Sequence, residues 1–228
     1  MEEYLRRSLH LAAAGRPLVF VDTETTGLIR NGQKPVAWQI GYLRRNSRRQ
    51  PESEIQSGEA NLNIGEFLDP DICRICKVEA DHPMRAGRNP VEILDRLAEH
   101  LDGAILVGHN YDEFDYQILR FTYERYHLPI PAELRHAGVG YSMDTLTMSR
   151  LLLKKGAPGS PEAYNNSAIA RHFGVPVDES VVHSALADAR VTMGVFDHLI
   201  DLCEKQFRDE LFRADLVKRA PPVPKPEA

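Results

Sequence analysis

The sequence predicts an α/β fold, a mixed sheet whose first three strands are antiparallel and whose later strands run parallel, flanked by helices. Three observations carry that reading. Leu18-Val19-Phe20-Val21 is an unbroken apolar run of strand length, the pattern of a strand buried on both faces. Two further strand-like stretches, 36–43 and 55–64, follow it at short connections, which favours antiparallel pairing. From residue 89 onward, helical periodicity alternates with a second short apolar run, Ala104–Val107, as in sheets covered by helices.

Taken in order, residues 2–14 place Leu5, Leu9 and Ala12 on one side and end at Gly15, which reads as a short helix. The first strand covers 17–22. The loop after the second strand holds Arg44, Arg45, Arg48 and Arg49, a run that suits a solvated face or contacts to phosphates. Asn89 as cap, Pro90 at the first position and Glu92 in a capping box open a helix. Its apolar face is Ile93, Leu94, Leu97, Ala98 and Leu101. The strand 104–107 runs out into Gly108-His109-Asn110, and a helix with Phe114, Ile118, Leu119 and Tyr126 follows. Helices are also expected over 143–153, near 167–173, and from Ser184 past Cys203, with a Gly/Pro loop at 156–161. Residues 1–219 form one domain in this reading, and 220–228, with four prolines, a disordered tail.

Composition narrows the function classes. The chain of 228 residues is 43% hydrophobic and 27% charged, ordinary values for a soluble globular protein. Its net charge of −5 means that nucleic-acid contact would come from local basic patches. Cys73, Cys76 and Cys203 make no disulfide framework and suit a reducing compartment. Cys73-x-x-Cys76 with His82 falls one ligand short of the usual structural zinc set. No apolar run approaches the ~18 residues of a membrane span, and the first residues leave no room for a cleavage region, so a cytoplasmic location is expected.

The chemistry concentrates where the first strand ends. Asp22 and Glu24 lie two residues apart, so in extended chain their side chains emerge on one face. Two like charges roughly 5 Å apart repel by about 3 kcal/mol at an effective dielectric near 20. Folds tolerate that best with a shared proton or a bridging cation. Asp115 opens the helix that follows the later strand, with Asp112 as a competing carboxylate that suits a helix cap. Asp188 falls in the first turn of the last helix, where the helix dipole favours a negative charge. His183, five residues earlier, would diverge from it by about 140° on a continuous helix, so it serves the same site only from the preceding loop.

These residues carry a resemblance. Val21-Asp22-Thr23-Glu24-Thr25-Thr26-Gly27-Leu28, His109-Asn110 leading to Asp115, and His183 with Asp188 resemble the three motifs of DEDDh 3′–5′ exonucleases, a family with a ribonuclease H-like fold. Met143-Asp144-Thr145-Leu146 resembles a further family segment, and the likeness spans roughly 17–205. Five residues separate His109 from Asp115, a spacing most similar to three-prime repair exonucleases and bacterial exonuclease I.

The resemblance implies two Mg²⁺ ions, replaceable by Mn²⁺ and about 3.5–4 Å apart in such sites, held by Asp22, Glu24, Asp115 and Asp188. His183 would take the proton of the attacking water, and the products would be nucleoside 5′-monophosphates cut from a free 3′ end. DNA, single-stranded for preference, is the implied substrate. It also implies that the backbone at Thr25, and Leu28, His109 and Phe114, meet the terminal nucleotide. For Leu28 and Phe114 core packing is the competing reading, and for His109 a ring satisfied by backbone. An RNA 3′-end trimmer and a non-catalytic, polymerase-associated or end-binding subunit are the rival functions, and the tail offers a tether for a protein partner.

Overall fold

The strand that bears Asp22 and Glu24 lies at the centre of the sheet. In the computed structural model, which describes residues 2–29, 32–135, 141–154, 156, 160–178, 180 and 183–207, β1 (Leu18–Thr25) pairs antiparallel with β2 (Ala37–Arg45), and β2 with β3 (Gln56–Asn61). On its other side β1 runs parallel to β4 (Ile105–Gly108), which runs parallel to β5 (Ser142–Asp144). The order β3-β2-β1-β4-β5 is the expected mixed sheet. The Pro-rich stretch 220–228 and part of the Gly/Pro loop, 157–159, lie outside the described residues.

Alternation along β1 sorts the core into two layers. Val19 and Val21 pack with Trp38, Ile40, Leu106 and the helices α4 (Pro90–Leu101) and α5 (Asp115–Arg125). Leu18 and Phe20 face the other way, onto α1 (Glu2–Ala12) and α8 (Ala185–Gln206) through Leu5, Leu9, Phe196 and Leu199. Burial of β1 on both faces is what the apolar run demanded. Asn89 caps α4 by accepting the Val91 N–H at 3.0 Å, with Pro90 in the first turn.

Two expectations are corrected, the start of the helix read over 143–153 and the role of Asp112. The connection between β3 and α4 holds two short helices, α2 (Pro70–Cys76) and α3 (His82–Ala86), too brief to show a helical period. The helix read over 143–153 begins later. Ser142, Met143 and Asp144 form β5, and Asp144 caps α6 (Thr145–Leu152) by accepting from Leu146 N at 2.8 Å and Thr147 N at 3.2 Å. Strand and helix meet there without a loop, so one apolar pattern runs through both. The helix expected near 167–173 is α7 (Asn166–Phe173), which precedes α8. The arginine run is engaged within the protein: Arg45 forms a two-pronged pair with Asp197 at 2.9 and 2.6 Å, and Arg48 reaches Glu204 at 2.6 Å as well as Asp201. Arg44 donates to the carbonyls of His100 and Asp102. Arg45 lies opposite Leu18 and Gly41 opposite Asp22, so this cluster sits about 14 Å along the strands from the carboxylates.

The cysteines have separate partners. Cys76 Sγ donates to Glu24 Oε2 at 3.1 Å, and Cys73 Sγ turns to the Leu68 carbonyl at 3.8 Å. His82 packs edge-on against Trp38. Zinc has no tetrahedral set there among the described residues. The second correction is Asp112, which caps no helix among the described residues. The residue before α5 is Phe114, without a side-chain cap. The Asp112 carboxylate accepts instead from Ser142 Oγ at 2.7 Å, tying the turn after β4 to β5. Among the described residues no helix is long and apolar enough to cross a membrane.

Candidate active site

Three elements deliver the site. Asp22 and Glu24 leave β1 on its α8 side, the side of Phe20. Gly41, across the ladder from Asp22, lets the start of α8 touch the sheet. A Cβ at that position would stand 2.1 Å from Leu186 N and 2.3 Å from Ala185 C. Gln39 Oε1 accepts from Ala185 N at 2.9 Å, and Glu59 Oε1 accepts from Ser184 Oγ at 2.6 Å and Leu186 N at 3.0 Å. Ser184 caps α8 toward Ala187 N.

Asp188 is thereby carried in the first turn of α8 to the two β1 carboxylates. His183 stands before the helix, as its spacing required, with φ +71°, a left-handed backbone rare outside glycine. Glu24, His183 and Asp188 each offer a ligand atom, all within 4.8 Å of one another. Asp115, the first residue of α5, is 3% exposed, and its Oδ1 accepts from Thr23 Oγ1 at 2.6 Å. Thr23 alternates between Asp22 and Glu24, so three successive β1 side chains organise the cluster.

Its electrostatics are those of crowded like charges. Burial first, then Asp115, Asp188 and Glu24, hold the Asp22 carboxyl well above the usual range. Burial pushes Glu24 up to about 7, against the hydrogen bond from Cys76, with Asp188 and Asp115 adding to the rise. Asp115 is likewise pushed up to about 7 by burial, against the hydrogen bond from Thr23. Burial also raises Asp188, and His183 pulls the other way. Among the described residues, each charge acting on Asp22 is another carboxylate. Such a cluster calls for protons or a cation, and oxygen ligands with one imidazole fit a hard divalent ion such as Mg²⁺ or Mn²⁺.

A model of the RNase_T exonuclease family matches residues 19–196. The chain belongs to that family. It is 25% identical over 203 residues to a DNA polymerase III subunit epsilon-like protein of Rhodobacter capsulatus, covering 87% of this chain and 26% of that protein. Over 181 residues it is 25% identical to the PolC-type DNA polymerase III of Mycoplasma genitalium, covering 78% of this chain and 11% of that protein. The chain thus spans less than a third of either relative. Among solved structures, exonuclease I of Methylocaldum szegediense superposes with a TM-score of 0.65 at 20% identity, covering 84% of this chain and 43% of that one. E. coli exonuclease I in complex with a dT13 oligonucleotide also gives 0.65, at 17% identity, covering 86% and 43%. These likenesses carry the expected ribonuclease H-like fold.

The other residues singled out for this RNase_T exonuclease-family chain are placed as follows. Leu28 is 50% exposed, so it is not core. Phe114 is partly buried against the α4–α5 core layer, which matches its packing reading. Thr25 is buried, its Oγ1 donating to the Gly27 carbonyl at 2.7 Å across the turn that ends β1. His109 Nε2 donates to the Tyr164 carbonyl at 2.8 Å, and Nδ1 lies 3.0 Å from Thr145 Oγ1. Burial lowers its pKa to about 4, so the ring is neutral and satisfied by the protein, as its backbone reading held. Beside it Arg150, Glu162, Ala163 and Tyr164 line a cavity of about 500 Å³. Sequence reasoning missed Thr23, Gln39, Gly41, Glu59 and Cys76.

Asp112 and Asp115 give a first test. Asp115→Ala is expected to abolish nuclease turnover. Asp112→Ala removes the acceptor of Ser142 Oγ and should keep turnover while lowering stability by about 1 kcal/mol. Thermal melts beside single-turnover rates check this, and an inactive Asp112→Ala with an active Asp115→Ala would reverse the assignment.

Proposed function

We propose that this protein removes nucleotides one at a time from the 3′ end of DNA, single-stranded for preference, in the DEDDh manner. The observation that carries the reading is the meeting of Asp22, Glu24, Asp115 and Asp188 with His183 on the loop before α8, three of these residues within ligand reach of one another. Divalent cations held by the four carboxylates would offset their repulsion and stabilise the charge that builds on the phosphate during in-line attack.

The chain's own groups do the rest. His183 accepts the proton of the attacking water, the ordinary role of a loop imidazole beside ionised carboxylates. Thr23 and Cys76 hold carboxylate oxygens by hydrogen bonds. Leu28, exposed past the end of β1, abuts the terminal base, and the Thr25 backbone flanks the same nucleotide. That DNA is the substrate draws support from the DNA polymerase III relatives and from the dT13 bound to E. coli exonuclease I.

A 5′-labelled single-stranded DNA oligomer and its matched RNA test the reading. With Mg²⁺ or Mn²⁺ the DNA should shorten stepwise from the 3′ end and release nucleoside 5′-monophosphates. Excess EDTA should stop it. Full activity in EDTA would refute the metal requirement, faster loss of RNA would make the protein an RNA trimmer, and an intact DNA oligomer would leave a non-catalytic end-binding role.

A further inference from the structure

The α2 helix brings one side chain, Cys76, to the carboxylate cluster. Asp69 caps it by accepting from Asp71 N at 2.8 Å, and Lys77 closes it in a left-handed conformation, φ +55°. That tight closure ends the helix on Cys76, whose side chain is 9% exposed and lies at the carboxylate cluster. Its Sγ donates to Glu24 Oε2 at 3.1 Å, joining residues 52 apart in sequence. Independently, Glu24 brings a ligand atom within 4.8 Å of those of His183 and Asp188.

A carboxylate has two oxygens, and which of them faces a cation depends on rotation about the last bond of the side chain. Glu24 is repelled by neighbouring carboxylates, Asp188, Asp115 and Glu59. The hydrogen bond from Cys76 singles out Oε2 and so favours one rotation. From this we infer that Cys76 is a positioning residue. Its thiol holds Oε2 and leaves Oε1 directed at the space shared with His183 and Asp188.

A thiol suits the task better than a stronger donor. It donates weakly, so it takes little of the charge that the carboxylate owes a cation. It also sits without penalty against apolar neighbours, here the layer that contains Leu68 and Ile72. Cys73 does not share the task, because its sulfur is turned to the Leu68 carbonyl.

The inference rests on the metal-binding reading of the site, and the experiment separates the two. Mn²⁺ is titrated calorimetrically into the full chain without nucleic acid, for wild type, Cys76→Ala and Cys76→Ser. The S–H stretching band is followed by infrared spectroscopy as Mg²⁺ is added, with Cys73→Ala to assign it. Cys76→Ala should bind Mn²⁺ about 10–100-fold more weakly, the usual effect of losing a partner that orients a ligand. Cys76→Ser keeps a donor and should recover most of the affinity. The Cys76 S–H band should move on Mg²⁺ addition, an observation that does not depend on either Cys76 variant folding. Equal Mn²⁺ affinity in all three proteins, or equal losses in Ala and Ser with an unmoved band, would reduce Cys76 to packing. Failure of wild type to bind Mn²⁺ would overturn the metal reading and this inference together.

Discussion

Asp22→Asn is expected to be inactive yet more heat-stable than wild type in metal-free buffer. Asp22 sits among three other carboxylates, and among the described residues each charge acting on it is negative. The amide keeps the shape and removes one member of the repulsive set. A pair repulsion at ~5 Å amounts to about 3 kcal/mol at an effective dielectric near 20, and part of it is already relieved by protons shared within the cluster. A gain of about 1–3 kcal/mol follows, which for a chain of this size is about 2–12 °C in Tm.

The pH dependence has a definite sign. Glu24 and Asp115 stand near 7 when folded and near the ordinary carboxylate value of about 4 when unfolded. Between those values the folded state binds more protons, so metal-free stability is complete below about pH 4 and falls as pH rises through about 7. Asp22→Asn should flatten that fall. Mg²⁺ should reverse it in wild type, adding about 2.7 kcal/mol at a hundredfold excess over Kd, and do little for the variant. Catalytically, loss of one ligand removes several kcal/mol of transition-state stabilisation, about a 10³-fold or larger drop in rate. Calorimetric melts with and without Mg²⁺, beside single-turnover hydrolysis, check both halves. A variant that is active, or less stable than wild type in EDTA, would remove the like-charge account of the site.

What could be read in the sequence had local causes. Four consecutive apolar residues made β1, alternation placed Asp22 and Glu24 on one face, and Ser184 marked the start of α8 and kept His183 off it. Contacts between distant segments were not legible. Cys76 reaches Glu24 from a stretch without period, and Asp112 finds Ser142 on a strand of only three residues. The arginine run announced its charge but not its partners, because Asp197 lies 152 positions from Arg45. Gly41 carries no local signal at all, yet a side chain there would push α8, and with it Asp188, off the sheet.

His183→Ala should lower kcat by about 10²–10⁴-fold while leaving Mg²⁺ affinity and binding of single-stranded DNA nearly unchanged. Its ring is close enough to Glu24 and Asp188 to serve as a ligand, so geometry alone allows two roles. The case for the base is positional. His183 lies on the loop, in a left-handed turn, while Asp188 is anchored on the helix itself. A group that must take a proton and then release it is better carried on the loop than in a fixed coordination sphere. Alanine has to adopt the same left-handed backbone, so a thermal melt of the variant accompanies the kinetic comparison to show that the fold is kept. Added imidazole should restore part of the rate, because it can supply the base without the side chain. Calorimetric metal binding beside single-turnover rates decides between the roles. Lost metal binding with the fold intact would make His183 a ligand, and an unchanged rate would leave it outside the chemistry.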